Sequence, residues 1–170
     1  MPNIKRALSE AACPITRAVD VLGDKWTLLI LKNANVGMTR FDEFRSDLGI
    51  ADNILSARLS RLVEMGLMVR VPYEGTGRTR HEYKLTQAGA DILPVFHTLA
   101  EWGQKHTTIE GLPATPILFI HTACGNPLER GEYCPSCDVT VSREDEAWVR
   151  PWRTPVVATL ADPAAEAPTS

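Results

Sequence analysis

Apolar residues recur with a helical period from residue 15 to residue 65, alternate from 67 to 85, and return to a helical period from 87 to 106. Ile15, Ala18, Val19 and Leu22 stripe a first helix; Pro14 suits its first turn and Gly23 ends it. Asp24 is placed to cap a second helix over 25–34. Trp26, Leu29, Ile30 and Asn33 share one face of it, and Leu28 and Leu31 widen the stripe, which predicts burial on most sides. A turn at Asn35-Val36-Gly37 and an extended piece at Met38-Thr39-Arg40 lead to a third helix over 41–48, patterned by Phe41, Phe44 and Leu48. Gly49-Ile50-Ala51 links it to a fourth, in which Leu55, Leu59 and Leu62 face the core with Val63 alongside. Two helices across a turn of about four residues have helix-turn-helix spacing. Alternation of Leu67, Val69 and Val71 predicts a strand over 67–73, with 81–85 as its partner. Residues 74–80 (EGTGRTR) form the hairpin loop, whose glycines supply the turn. Thr86 caps one long last helix over 87–106, apolar at Ile92, Leu93, Val95, Phe96, Leu99 and Trp102, with a bend expected at Pro94.

The fourth helix shows Asn53, Ala57, Ser60, Arg61 and Glu64 opposite its leucines, with Ser56 at the edge. Small and hydrogen-bonding residues suit close approach to a major groove, where Asn pairs with adenine and Arg with guanine. The plain alternative is a solvated helix face. A hairpin directly after a helix-turn-helix makes a winged helix, and Thr76, Arg78 and Arg80 in its loop suit phosphate or minor-groove contact. Arg40 joins that backbone-contacting group, and Arg58, nearer the core flank, is expected at a phosphate. The net charge of −3 does not by itself favour nucleic acid, but it is unevenly spread: residues 1–106 sum to +2 and residues 107–170 to −5. The local field meets the phosphates, not the average.

The segments CPITRAVDVLGDKWTLLIL, RFDEFRSDLGI, ILSARLSRLVEMGLMVR and HEYKLTQAGADIL, in this order, resemble the HxlR-type transcription regulators, winged-helix proteins related to the MarR group. The resemblance spans about residues 13–106. It implies a homodimer packed through its first and last helices on an inverted-repeat operator, with recognition helices in successive major grooves roughly 34 Å apart. The expected function is sequence-specific transcriptional regulation, with repression of a nearby operon as the expected mode. Ala51 departs from the serine or threonine that usually caps the recognition helix, leaving Asp52 as the alternative cap. Cys13 aligns with a cysteine that senses quinones, aldehydes or oxidants in some members. A thiol at a helix N-terminus gains thiolate character from unpaired N–H groups, and Arg17 lies one turn on. The other reading of Cys13 is a small residue packed at the dimer seam.

Beyond a Pro-containing linker, His121 and Cys124 are spaced H-x2-C, and Cys134 and Cys137 are spaced C-x2-C. Each pair can bite one ion through a tight turn, and the residues between the pairs suffice for a hairpin that joins them. Four N/S ligands suit tetrahedral Zn²⁺, with thiolates at ~2.3 Å, in a closed structural site. Free thiols in a hairpin, or a redox Cys134–Cys137 pair, are the alternatives.

The expected fold class is therefore mainly α with a small β-wing: a winged helix-turn-helix with a C-terminal zinc-ribbon-like appendage. Its parts are a flexible arm over 1–12, a DNA-binding and dimerisation domain over 13–106, a linker over 107–118, a Cys/His module over 119–153 and a disordered tail over 154–170. Trp148 and Trp152 are expected to pack on the body or on a partner. No run of ~18 apolar residues suggests a membrane helix, and the start lacks the core of a signal peptide, so a cytoplasmic location is expected. The expected partners are double-stranded DNA, a second copy of the chain and a small-molecule or oxidant inducer. A thiol–disulfide enzyme is the rival class, but the CxxC lacks the βαβ pattern of such catalysts. A protein-interaction module built on a winged helix is the other.

Overall fold

The computed structural model describes residues 13–75, 78–107, 110 and 115–164. The expected arm over 1–12, Thr76, part of the linker and the end of the tail lie outside the described residues. Helices α1 (Pro14–Leu22), α2 (Lys25–Asn35), α3 (Phe41–Leu48) and α4 (Asp52–Glu64) precede the hairpin β1 (Met68–Gly75) and β2 (Arg78–Leu85). Helices α5 (Gln87–Ala90) and α6 (Leu93–His106) follow, then strands β3 (Leu118–His121), β4 (Tyr133–Cys134), β5 (Val139–Thr140), β6 (Glu146–Val149) and β7 (Val157–Thr159).

The local punctuation acts as its chemistry requires. Gly23 closes α1 through its N–H to Val19 O at 2.7 Å. The Asp24 carboxylate accepts from the N–H groups of Trp26 and Thr27 at 3.0 and 3.1 Å, capping α2. Gly49 ends α3 at φ 59°, a left-handed conformation that glycine adopts without steric cost. Helix α4 starts at Ala51 with no side-chain cap, so Asp52 does not take over that role. Between the leucine stripe of α4 and the inner face of α2 lies the core: Ile30, Leu31, Phe44, Leu55, Leu59, Leu62, Met68, Leu85 and Phe96. The extended piece before α3 joins the wing, because Tyr83 N–H donates to Thr39 O at 2.7 Å and Arg40 bridges Glu82.

Four expectations change. The last helix is two helices: α5 ends at Ala90, and Pro94 falls in the first turn of α6. Proline tolerates that position because its missing N–H needs no partner there, so it opens a helix instead of bending one. The wing strands run further than their alternation suggested, and Arg78 pairs across from Gly75 and Arg80 from Tyr73. Arg80 therefore sits in a strand, not in the loop. The tail over 154–170 was expected without structure, but Val157–Thr159 adds β7 to β6. Ala161 and Ala164 then donate to Asn35 O and Leu85 O at 2.8 and 2.7 Å.

The C-terminal segment is also less of an appendage than its spacing implied. The sheet β3-β6-β7 presses Trp148, 2% exposed, into the main core, where it meets Phe96 and Phe119 edge-on. Trp152, by contrast, stands 56% exposed. Beside Trp148, the buried Glu146 Oε1 lies 2.7 Å from His97 Nε2 of α6 and accepts from Trp148 Nε1 at 2.8 Å. Gly131 abuts the same imidazole: a Cβ there would lie 2.1 Å from His97 Nδ1, and φ is 73°. Among the described residues no helix is long and apolar enough to cross a membrane.

Candidate nucleic-acid interface and metal centre

Helix α4 buries Leu55, Leu59 and Leu62 at 0–1% exposure, which dictates what faces outward. Asn53, Ser56, Ala57, Ser60 and Arg61 are all exposed, as a helix that must bury its leucines requires. Arg61 Nη2 donates to the Asp20 carbonyl at 3.2 Å, in the last turn of α1, where helix carbonyls lack intrahelical partners. Arg58 was expected at a phosphate. The structure commits it elsewhere: Nε and Nη2 each donate to Asp24 at 2.9 Å. Hydrogen bonding to Arg58 holds the Asp24 carboxyl down at about 2, well below the usual carboxylate range. The pair ties α4 to the cap of α2.

Around that face lie further cations. Arg40 Nε donates to Glu82 Oε1 at 3.4 Å, and its guanidinium lies 5.1 Å from the Tyr73 ring centroid, so it bridges α3 and the wing. Arg80 is exposed on β2; Arg78 is placed by its backbone at the mouth of the turn. Arg70 on β1 was missed by the sequence reading. It is exposed, with Nη2 2.9 Å from His81 Nδ1, and its place among alternating Val69 and Val71 could have revealed it. Arg45 was missed too; it lies between Asp42 and Asp52, at 3.1 and 3.5 Å.

The second constellation is local in sequence and closes in space. His121, Cys124, Cys134 and Cys137 bring one ligand atom each within 4.8 Å of one another. Two matching knuckles do this. Gly125 N–H donates to His121 O at 2.8 Å, and Asp138 N–H donates to Cys134 O at 2.9 Å. Each turn is completed by a left-handed residue, Gly125 at φ 73° and Asp138 at φ 58°. Cys124 Sγ lies 3.5 Å from both His121 Nδ1 and Cys134 Sγ. Ligands at ~2.3 Å and ~2.0–2.1 Å around one tetrahedral ion would stand roughly 3.5–3.8 Å apart, so the donor set and spacing fit a metal ion. The Asn126 N–H, then Cys134 and Cys137, bring the Cys124 thiol down to about 6, while donation to Cys124 and Cys134 pushes Cys137 up to about 11.

The helix-turn-helix and its wing have counterparts among known proteins. The HxlR-like helix-turn-helix family matches residues 21–110. The HTH-type transcriptional regulator MT3179 of Mycobacterium tuberculosis (strain CDC 1551 / Oshkosh) is 40% identical over 123 residues, covering 72% of this chain and 76% of that protein. The chain belongs to the HxlR-like helix-turn-helix family. It is a DNA-binding transcription regulator. YdeP of Bacillus subtilis (strain 168), also an HTH-type regulator, is 32% identical over 55% of this chain and 73% of its own. Among solved structures, PA1607, described as a candidate transcription factor, is 35% identical with TM-score 0.65, covering 82% of this chain and 95% of that one. The redox regulator HypR in its oxidised form is 30% identical with TM-score 0.52, over 57% of this chain and 100% of its own.

In this HxlR-like regulator the family match ends at residue 110, before His121, whereas the likeness to PA1607 covers 82% of the chain. Cys13 lies outside the family match at the other end, exposed at the N-cap of α1. The N–H of Thr16, its hydroxyl and the N–H of Ile15 lower the Cys13 thiol from its ordinary value, although it makes no cap hydrogen bond of standard geometry. The C-x2-C pair sits on the β4-β5 hairpin, close to His121 and Cys124.

Proposed function

We propose that the regulator acts as a homodimer on an inverted-repeat operator, with α4 of each copy in a major groove, and that it represses the adjacent genes. The observation that carries this reading is the outward face of α4, where Asn53, Ser56, Ala57, Ser60 and Arg61 stand together and free of the core. Side chains of this kind read base edges. Arg40, Thr76, Arg78 and Arg80 hold phosphates or the minor groove beside them, and Arg58 supports α4 from behind. Dimerisation is supported by an apolar face that the single chain leaves open: Ile15 and Val19 of α1 at 72% and 57% exposure, and Val95, Leu99 and Trp102 of α6 at 45%, 47% and 57%. Selection from random DNA tests the reading, with an enriched palindrome expected; a library that returns no two-fold symmetric sequence overturns it.

His121, Cys124, Cys134 and Cys137 hold structural Zn²⁺ in this reading, which stabilises the two knuckles and leaves no open coordination position. Metal analysis of the purified protein should find stoichiometric zinc. A redox response through Cys13 is a second reading, favoured by its exposure, its lowered pKa and the likeness to HypR. Operator affinity that is unchanged after thiol oxidation of the wild type argues against it.

A further inference from the structure

A cavity of about 490 Å³ opens between α3, the turn after α2 and the segment that carries β7. That volume lies within the range of about 300–1,000 Å³ typical of small-molecule sites. Its walls divide by chemistry. Val36, Met38, Pro155, Val157 and Ala158 supply apolar surface, and Arg150 and Arg153 supply cations.

Two carboxylates also reach the cavity, and both are already committed. Asp47, 7% exposed at its side chain, accepts from Arg153 Nη1, from Arg153 Nη2 at 3.0 Å and from Asn33 Nδ2 at 2.7 Å. Glu43 accepts from the N–H groups of Thr39 and Arg40 at 3.0 and 2.9 Å. Arg153 is therefore paired. Arg150 Nε is buried with no hydrogen-bond partner; burial and the nearby Arg153 push the guanidinium below its ordinary value, and only the longer-range attraction of Asp47 opposes them. Lys32 adds a third, partly buried cation close enough to feel Asp47, Arg150 and Arg153. A buried charged donor left unmet is costly, and such groups normally have a partner.

We propose that this cavity binds a small carboxylate with an apolar body, the carboxylate meeting Arg150 and the body lying against Val36, Met38 and Val157. A planar guanidinium fork matches a carboxylate. A dianion such as phosphate fits less well, because the Arg150 guanidinium shares the cavity wall with the carboxylates of Asp47 and Glu43. The site joins the helix-turn-helix, through Asp47 and Glu43, to the C-terminal segment, through Arg150 and Arg153. Binding here does not depend on the DNA reading, so the two can fail separately.

The test is titration of the ¹⁵N-labelled full-length protein, without DNA, with benzoate, hexanoate, benzamide and inorganic phosphate. The Arg150 Nε–H resonance and calorimetry are followed together. Saturable movement of that resonance by benzoate or hexanoate is expected, with at least tenfold weaker binding for benzamide and phosphate. Arg150→Gln should weaken carboxylate binding by the same factor. If that variant does not fold, the wild-type resonance decides alone. The proposal is overturned if neither carboxylate moves it, if benzamide or phosphate binds as tightly, or if a folded Arg150→Gln retains wild-type affinity.

Discussion

Arg58 and Arg61, three positions apart on one helix, are engaged differently. Arg58 is held by Asp24 on two hydrogen bonds, whereas Arg61 is exposed and lends a single N–H to Asp20. Replacing Arg61 with Ala should relax specificity at one base pair by ~1–3 kcal/mol, whereas Arg80→Ala should weaken all sequences alike and lower the salt slope by about 1. Binding isotherms on matched and single-mismatch duplexes at two salt concentrations separate these outcomes. The Asp24–Arg58 pair makes its own pH prediction. The folded-state pKa of Asp24, about 2, lies below the ordinary value of 3.8. Its contribution is therefore present above about pH 4 and is lost as pH falls toward 2. With side chains 36% and 32% exposed, solvent screening reduces that contribution to about 1 kcal/mol. Asp24→Asn keeps the helix cap and removes the charge, so urea melts should show the variant about 1 kcal/mol weaker at pH 7. The two proteins should converge near pH 2; a gap that persists there contradicts the ionic origin.

At the scale of elements, metal occupancy makes the clearest prediction. The pairs β3-β6 and β4-β5 are short, and the knuckles between them expose most of their residues. Under the proposed zinc reading, a segment with so little core of its own depends on the ion that His121, Cys124, Cys134 and Cys137 would hold. Chelation, or Cys134→Ser, should raise amide hydrogen exchange over 119–141 while α2, α3 and α4 keep their protection, because Trp148 and Ile30 belong to a core that needs no metal. Equal protection with and without chelator removes the structural role of zinc. The elements the sequence made legible are those with local punctuation: Gly23 and Asp24 between α1 and α2, Gly49 after α3, Thr86 before α5. The H-x2-C and C-x2-C pairs belong with them, since a knuckle is formed by five consecutive residues. Missed features rest on distant contacts. Strand β7 is held by β6, and the residues after it by Asn35 and Leu85, none of which composition reveals. Gly89 of α5 is set by packing as well: it lies against the Leu67 carbonyl, where a Cβ would be 2.0 Å away. The Asp47–Arg153 pair spans 106 positions and leaves no sequence signature at all.

For the whole molecule, the proposed dimer rests on the open apolar face of α1 and α6, which would let α4 act twice. In the proposed dimer, two α4 helices held at a fixed spacing would turn the second contact into an intramolecular event. That gain is typically 10²–10⁴-fold, so roughly this much affinity rides on the interface. Val19 and Leu99 are 57% and 47% exposed in the single chain, so Val19→Glu with Leu99→Glu should leave monomer stability within about 0.5 kcal/mol. The same carboxylates would be buried unpaired in a dimer, where they are not tolerated. Light scattering should then show a folded monomer. Its affinity for a full palindrome should fall to that for a half-site, while wild type keeps a large difference between the two. If the double variant remains dimeric, the copies meet through another surface. If it is monomeric and still prefers the palindrome, two copies must cooperate on DNA through another contact, and the apolar face needs a different occupant.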